Sequence, residues 1–117
     1  MGPAATTPKT AAATDRRQCC PRYHEAVELV GKRWTGAILY VLLEGGRLRF
    51  SQIAQAVPAL SDRLLSERMK ELEARGIVAR HVSDGTPVKV CYELTEKGRQ
   101  LAPALGELKS WADRWLN

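Results

Sequence analysis

The chain has 117 residues, of which 44% are hydrophobic and 26% are charged, and it carries a net charge of +5. This length fits one domain and excludes a large enzyme with a separate cofactor domain, while the composition excludes wholesale disorder. The longest apolar run, residues 37–43, is far shorter than the roughly 20 residues of a membrane span, and no apolar segment typical of a signal peptide precedes residue 19. We therefore expect a cytoplasmic protein that does not contact a membrane.

The N-terminal segment, residues 1–18, is rich in Ala, Thr and Pro. Such a segment buries too little apolar surface to offset the entropy of ordering, so we expect a disordered tail followed by one domain over residues 19–117. Three basic residues and one aspartate give the tail a net charge of +2, which leaves +3 for the domain. The first helix is expected to begin at Pro21, which suits a first helical turn, and to end at Gly31.

Two further helices are predicted in the segment that follows. Residues 34–44 have apolar side chains at the i, i+3, i+4, i+7 spacing of a buried helix, which a pair of glycines ends. Residues 48–50 are too short for more than one edge bridge of a sheet. Ser51 is the candidate N-cap of a two-turn helix that Pro58 ends.

The helix from Asp62 to Arg75 has the strongest pattern in the chain. Ser61 offers an N-cap, Gly76 lies where a C-cap glycine is expected, and apolar side chains repeat at i, i+4, i+7. The residues predicted to face the core are Leu65, Met69 and Leu72.

The C-terminal part begins with a change of period. Residues 77–82 and 88–94 are predicted to be the strands of a β-hairpin, and the apolar residues from Val88 onward are expected to face the core. Thr95 is expected to cap one last helix, in which Pro103 removes a hydrogen bond or causes a kink in the second turn. The apolar stripe of that helix is predicted to comprise Leu101, Leu105, Leu108, Trp111 and Trp115.

The order helix, helix, short strand, helix, helix, hairpin, helix is that of a winged helix-turn-helix, a mainly α fold with a small β-hairpin. In that fold the second helix of the central pair lies in the DNA major groove, and the hairpin reaches a flanking backbone or minor groove. We therefore expect a sequence-specific DNA-binding protein in which residues 62–75 form the recognition helix.

Several runs of residues also resemble a known family. They are Val30-Gly31-Lys32-Arg33-Trp34, Gly76-Ile77-Val78 and Tyr92-Glu93-Leu94-Thr95-Glu96-Lys97-Gly98. Together with the Cys20-Pro21 start, they resemble the HxlR-type transcriptional regulators from about residue 20 to residue 115. The resemblance implies a homodimer whose first and last helices form the interface, and the two-fold symmetry then predicts a pseudo-palindromic operator. Cys91, where the family often carries Glu, and the doubled Cys19-Cys20 depart from the family pattern.

The face of the recognition helix opposite its core carries charged and polar side chains. Arg63 and Ser66 are candidates for base contacts, since Arg can bind guanine in a bidentate manner and Ser can donate or accept. Arg68 and Lys70 are candidates for phosphate contacts. By periodicity alone the same face fits a solvated helix with i, i+4 ion pairs. The candidates for DNA binding are Ser51, Gln52, Ser61, Arg63, Ser66, Glu67, Arg68, Lys70 and Lys89.

The last helix carries more large apolar side chains than a surface helix of a small monomer needs. Because an exposed contiguous apolar area indicates an interface, we expect dimerisation there. The alternative is that all of these side chains pack on the core of their own chain. The predicted dimer interface comprises Tyr23, Val27, Leu101, Leu105, Leu108, Trp111 and Trp115.

Three cysteines cannot all pair within one chain, and the adjacent Cys19 and Cys20 lack the C-x-x-C spacing of a zinc site. Nearby positive residues and a helix N-terminus favour the thiolate form of Cys20. Some HxlR-type regulators respond to oxidants or electrophiles through an N-terminal cysteine, so the resemblance implies that Cys20, with Cys19, is a redox sensor. The alternative is that these are ordinary reduced thiols. Cys91 is expected on the exposed face of its strand.

Two other functions fit the same sequence. A small-molecule effector could bind a pocket near Trp111, Trp115 and Tyr23 without thiol chemistry, or the winged helix could bind a protein and never DNA. The chain has no ordered Ser-His-Asp set, no glycine-rich phosphate loop and no evident pair of catalytic carboxylates. We therefore expect no enzyme activity, no cofactor and no metal, and we interpret His24 and His81 as isolated residues.

Overall fold

The computed structural model describes residues 20–117, so the predicted tail over residues 1–18 and Cys19 lie outside the described residues. The chain divides into two compact units, residues 1–31 and residues 32–117. The described part of the first unit contains helix α1, Pro21–Gly31, which has the predicted bounds. None of the α1 residues is buried, and the first turn is closed by a 2.9 Å hydrogen bond from the His24 N–H to the Cys20 carbonyl.

The second unit has the predicted mainly α architecture with a small antiparallel sheet. In chain order the elements are α2 (Thr35–Gly45), β1 (Leu48–Arg49), α3 (Phe50–Ala56), α4 (Asp62–Ala74), β2 (Val78–Val82), β3 (Val90–Leu94), α5 (Glu96–Arg99) and α6 (Ala102–Trp115). The strand order of the sheet is β1-β3-β2, so β3 is its central strand. With α3 and α4 as the helix-turn-helix pair and β2 and β3 as the wing, the order of elements is that of a winged helix-turn-helix.

The core of the second unit lies where α2, α3 and α4 pack with the sheet. The three core residues predicted for α4, Leu65, Met69 and Leu72, are all buried, which confirms the direction of its apolar face. The other buried hydrophobic side chains of this core are Ile38, Leu39, Leu42, Ile53, Val57, Leu60, Ile77, Val78, Leu94 and Leu105.

Helix α2 begins at Thr35, one residue later than predicted. Trp34, just before it, has a left-handed backbone conformation with φ 75° and ψ −16°. A non-glycine residue rarely adopts that conformation, because its Cβ crowds the backbone. Trp34 therefore belongs to the junction before α2 and not to its buried stripe. Ala37, predicted in the same stripe, is exposed, and Thr35 is buried instead.

Helix α3 begins at Phe50 and has Arg49 at its N-cap position, so the prediction of Ser51 as the N-cap is wrong. The Arg49 N–H donates a hydrogen bond of 2.8 Å to Oε1 of Gln52. The amide side chain of Gln52 thus satisfies one backbone donor at the helix start, which is the role of the third residue in a capping box.

The strand before α3 contributes more to the sheet than predicted. β1 pairs with β3 through Leu48 opposite Tyr92 and Arg49 opposite Cys91, whereas the sequence predicted one edge bridge at most. β2 pairs with β3 over five residues, which confirms the hairpin.

Both ends of α4 are closed as the sequence predicted. At its start, Ser61 Oγ accepts a hydrogen bond of 3.2 Å from the Leu64 N–H. At its end, Gly76 has φ 74°, and the Ile77 N–H donates to the Leu72 carbonyl at 2.9 Å. These are the bonds of a serine N-cap and a glycine C-cap, and they fix the length of α4 to within one residue of the prediction.

The C-terminal helix is two helices, α5 and α6, with a two-residue break between them, so the prediction of a single kinked helix is wrong. Thr95 caps α5 as predicted, since its Oγ1 accepts the Gly98 N–H at 3.2 Å. In a continuous helix, Pro103 would leave the Arg99 carbonyl without its N–H partner, and its ring would collide with that carbonyl. The break places Pro103 in the first turn of α6, where neither effect arises.

Candidate nucleic-acid interface

The outer face of α4 presents most of the side chains of this helix that are predicted to bind DNA. The Arg63 side chain is 92% exposed, Glu67 and Lys70 are exposed, and Ser66 lies half-buried at the edge of the face. Arg63 Nε lies 3.6 Å from Oε2 of Glu67, an i, i+4 pair on open surface. Such a pair contributes little free energy, so Arg63 can leave Glu67 for another partner at low cost.

Arg68 has a different environment from the one predicted. Its side chain is only 11% exposed, its Nε donates to the Arg33 carbonyl at 2.9 Å, and its Nη1 lies 3.5 Å from both carboxylate oxygens of Glu71. Glu71 also accepts a 2.9 Å hydrogen bond from Lys32 Nζ, which holds the pKa of its carboxyl below the ordinary value. The prediction of a phosphate contact at Arg68 does not fit this geometry, because little of its side chain is exposed and its Nε is bound to the Arg33 carbonyl.

Three of the predicted DNA contacts lie at the starts of the helix-turn-helix helices. Ser51 is exposed in the first turn of α3. Ser61 Oγ and Gln52 Oε1 both act as acceptors in the helix starts described above. The hydroxyl proton of Ser61 and the amide NH₂ of Gln52 remain as donors that capping does not use, so each side chain can cap its helix and still donate to a phosphate.

The tip of the wing is the loop between β2 and β3. β3 begins at Val90, two residues later than predicted, so Lys89 lies in the loop rather than on the strand, and Val88 is exposed rather than facing the core. The Lys89 N–H donates to Ser83 Oγ at 2.9 Å, and the Lys89 carbonyl accepts the Ser83 N–H at 2.8 Å. These bonds close the base of the loop and leave the Lys89 side chain exposed.

A charged cluster across the sheet was not predicted from the sequence. Glu93 Oε1 lies 2.9 Å from Arg47 Nη2 and 2.7 Å from His81 Nε2, so His81 is not isolated as predicted. The hydrogen bond from Arg47 is the main cause that lowers the pKa of Glu93. Arg47 and Glu93 are 46 residues apart, and no local periodicity could have indicated the pair.

Cys20 lies exposed at the N-terminal end of α1. Hydrogen bonds from the backbone N–H groups of Tyr23 and Arg22, and then from the Arg22 side chain, hold the pKa of the Cys20 thiol below its ordinary value. This environment favours the thiolate, the reactive form of cysteine, in the direction that the sequence predicted.

Cys91 lies in the central strand, where Arg49 and His81 are its partners on the two neighbouring strands. It is half-buried rather than exposed, so the prediction of an exposed strand position is wrong. Cys19 lies outside the described residues.

The predicted dimer residues divide into two groups. Leu105 is only 8% exposed, so it packs within its own chain and does not fit an interface role, whereas Leu101 is half-buried. Trp111 and Trp115 of α6 are 51% and 65% exposed. The residues of the predicted set that remain exposed are Tyr23, Val27, Leu108, Trp111 and Trp115.

A cavity of about 360 Å³ lies between the end of α2, the end of β3 and the start of α6, with Leu42, Leu94 and Ala102 in its walls. Neither Trp111 nor Trp115 lines it, so it is not the predicted effector pocket.

Within residues 20–117, no group of three or more His, Cys, Asp or Glu could hold a metal ion. The helices in that range are all too short or too polar to cross a bilayer.

The HxlR-like helix-turn-helix family model matches residues 29–117 of the chain. The HTH-type transcriptional regulator YvaP of Bacillus subtilis (strain 168) is 48% identical over 103 residues, which cover 88% of this chain and 94% of YvaP. The HTH-type transcriptional regulator YodB of the same organism is 47% identical over 96 residues, which cover 82% of this chain and 85% of YodB.

Two solved structures resemble this chain along most of its length. The reduced form of YodB matches with a TM-score of 0.76 at 45% identity and covers 86% of this chain and 97% of the YodB chain. The oxidised form of the redox regulator HypR matches with a TM-score of 0.77 at 35% identity, covering 84% of this chain and 99% of the HypR chain. YodB has also been solved in diamide-treated and quinone-bound forms.

Proposed function

The chain belongs to the HxlR-like helix-turn-helix family of transcriptional regulators, and from that premise we propose that it binds a specific DNA operator as a homodimer. The domain over residues 19–117 supplies both activities. Helix α4 enters the major groove, the wing lies over a flanking backbone, and two-fold symmetry makes the operator pseudo-palindromic.

The observation that carries the proposal is that α4 has one buried face and one exposed, charged face. Its buried face is fixed by the core, and its opposite face presents Arg63 and Lys70 to solvent with no strong partner to lose. An arginine near the start of a recognition helix can donate two hydrogen bonds to one guanine, to O6 and to N7. Glu67, one turn further along, can accept from the N4 amino group of cytosine.

Dimerisation is supported by the apolar face of α6. Leu108, Trp111 and Trp115 follow one another at helical spacing and are all more than half exposed. Large aromatic side chains are enriched at interfaces and depleted from free surface. A second copy of the chain is the partner that two-fold symmetric operator binding requires.

The contact roles are tested by substitutions on a duplex recovered from random sequences. Arg63→Ala is expected to cost about 1–3 kcal/mol of operator binding and to relax sequence preference at one position. Lys70→Ala is expected to weaken operator and random duplex alike and to lower the slope of log K against log salt by about one. Fluorescence anisotropy across a salt series measures both effects. Unchanged operator preference in Arg63→Ala, together with an unchanged slope in Lys70→Ala, would contradict the proposed docking.

We further propose that Cys20 makes the regulator responsive to electrophiles and oxidants. The support is the lowered pKa of its exposed thiol and the quinone-bound and diamide-treated forms of the relative YodB. With a quinone, the thiolate sulfur adds to a ring carbon: one S–C bond forms, a C=C π bond breaks, and the electron pair moves to a carbonyl oxygen, which takes a proton from water. The hydrogen on the substituted ring carbon then leaves as a proton and the other carbonyl oxygen gains one, which gives a substituted hydroquinone. The added bulk lies at the first turn of α1.

Benzoquinone treatment of the wild-type protein is expected to change operator affinity by about tenfold, a magnitude within the usual range of allosteric coupling. Cys20→Ser should abolish this change, whereas the controls Cys19→Ser and Cys91→Ser should retain it. Mass spectrometry counts the adducts and locates them. An unchanged loss or gain of operator affinity on benzoquinone treatment of Cys20→Ser would contradict the proposed role of Cys20.

A further inference from the structure

The junction between α1 and α2, Lys32-Arg33-Trp34, is held in a conformation that its own sequence does not favour. Trp34 is in the left-handed region, with φ 75°. A bulky non-glycine residue persists there only where surrounding contacts fix it. The Arg33 guanidinium lies over the Trp34 ring, 5.2 Å from its centroid, and the Thr35 N–H donates to the Lys32 carbonyl at 3.0 Å.

The same junction is bound to one side of α4 by two residues that lie one turn apart. Arg68 Nε donates to the Arg33 carbonyl at 2.9 Å, so it fixes the backbone just before Trp34. Glu71 accepts the Lys32 ammonium at 2.9 Å and lies 3.5 Å from Arg68 Nη1. Backbone and side chain of the junction are thus both attached to α4.

The low exposure of Arg68 makes this attachment sensitive to rotation of α4. Its side chain is 11% exposed, and a buried guanidinium whose hydrogen bonds are lost is strongly unfavourable. Arg68 lies one helical turn or less from Glu67 and Lys70, which face solvent on the outer surface of α4. A small rotation of α4 about its axis that carried the outer face away from a groove would also pull Arg68 Nε from the Arg33 carbonyl.

We propose that Arg68 is a positioning residue for operator recognition: through the Arg33 carbonyl and Glu71 it sets the rotation of α4 relative to the Lys32–Trp34 junction. The inference rests on the proposed DNA binding. Arg68 does not touch DNA. It holds Arg63 and Ser66 in the register that a specific duplex requires, and a random duplex, which needs only phosphate contacts, is indifferent to it.

Three roles for Arg68 give three different results in one titration. Arg68→Ala is compared with wild type on the selected operator and on a random duplex, across a salt series and at matched folded fraction. The positioning role predicts a loss of about tenfold on the operator, a range known for residues that modulate coupling without touching the ligand. It predicts a change of less than about twofold on the random duplex and an unchanged salt slope on that duplex. Arg68→Lys, which retains one donor for the Arg33 carbonyl, should recover part of the loss.

A phosphate contact would instead lower both affinities together and reduce the salt slope by about one, as expected for Lys70→Ala, the positive control on the same helix. A merely structural role would leave both affinities of the folded protein unchanged. Either result overturns the proposal.

Glu71→Gln provides a second test if Arg68→Ala does not fold. The direction of the change in the ratio of operator to random affinity decides between the roles. Removing an acidic group beside a polyanion should by itself tighten binding to every duplex. Positioning predicts the opposite for specificity, so the ratio of operator to random affinity should fall by about threefold. A ratio that stays constant or rises contradicts the proposal.

Hydrogen exchange of the free protein separates this inference from the proposed function. In Arg68→Ala, the amides of residues 33–36 and of the first turn of α4 should exchange faster together, while those of α5 remain unchanged. If the wild type has no sequence preference for any duplex, the proposed function fails whatever the exchange data give. If operator binding holds but both exchange and specificity are unaffected, the positioning role alone is wrong.

Discussion

At the scale of single residues, Gly98 in α5 lies against the backbone of Ile77, the residue just before β2. A Cβ added to Gly98 would collide with the backbone carbonyl oxygen of Ile77 and would lie 3.0 Å from Leu94 Cδ2. That carbonyl accepts the Thr95 N–H at 3.0 Å, and Thr95 in turn caps α5. The collision therefore involves backbone that is already fixed by hydrogen bonds.

Gly98→Ala is expected to destabilise the protein by about 1–3 kcal/mol, because overpacking against backbone cannot be relieved by a side-chain rotation. Urea unfolding at one fixed protein concentration measures the loss. Gly106→Ala is the matched control: it lies within helix α6, nothing lies within 4 Å of an added Cβ, and it should stabilise by about 0.5–1 kcal/mol. Equal effects at the two positions would show that helix propensity, and not contact with Ile77, governs Gly98.

Several residue roles that depend on near neighbours in sequence could be predicted, although the N-cap of α3 was not, and roles that depend on distant partners could not. The Ser61 cap and the Gly76 C-cap follow from local chemistry, and both are present. The sequence predicts a phosphate contact for Arg68, but its partner in the structure is the carbonyl of Arg33, 35 residues away. A backbone carbonyl carries no sequence signature, so no pattern in the chain could have indicated this bond.

At the scale of elements, periodicity located the helices, and the errors lie at their ends. α4 and α1 match their predicted ranges to within one residue, because caps and apolar spacing agree there. α2 starts one residue later than predicted because Trp34 has a left-handed backbone conformation. The last helix is broken because Pro103 is accommodated in the first turn of a helix and not in its interior. The apolar stripe alone predicts a continuous helix in both places, and backbone sterics decide otherwise.

The sheet shows the same limit in another form. The β2–β3 hairpin is local and was predicted, whereas β1 joins β3 across more than 40 residues of chain. Two residues are too few to carry a period-2 signal. Their pairing with β3 places β1, and hence the start of α3, beside the base of the wing, so the helix-turn-helix and the wing form one body through the central strand.

At the scale of the whole molecule, net charge alone does not account for DNA binding. Helix α4 has three basic residues against four acidic ones and is therefore net −1; they are Arg63, Arg68, Lys70, Asp62, Glu67, Glu71 and Glu73. In the proposed complex, phosphate contacts therefore come also from outside α4, from the wing at Lys89 and from a second copy of the chain. A dimer doubles the contacts with the whole operator, one protomer on each half-site, without requiring a basic recognition helix.

The exposed aromatic face of α6 leads to the same conclusion from packing. Each chain leaves Trp111 and Trp115 more than half exposed after its own core is complete. Burying such side chains against a copy of themselves is the arrangement that a two-fold axis provides. The same proposed homodimer therefore accounts for symmetric operator binding and for the burial of the apolar face of α6.

The most direct test of this claim is selection of bound sequences from a pool of random duplexes, followed by determination of the mass of the complex on the enriched duplex. The proposed regulator should enrich a pseudo-palindrome with half-sites about one helical turn, roughly 10 base pairs, apart. The complex should contain two protomers per duplex. A pool that enriches no sequence, or an enriched single half-site bound by one chain, would contradict the account.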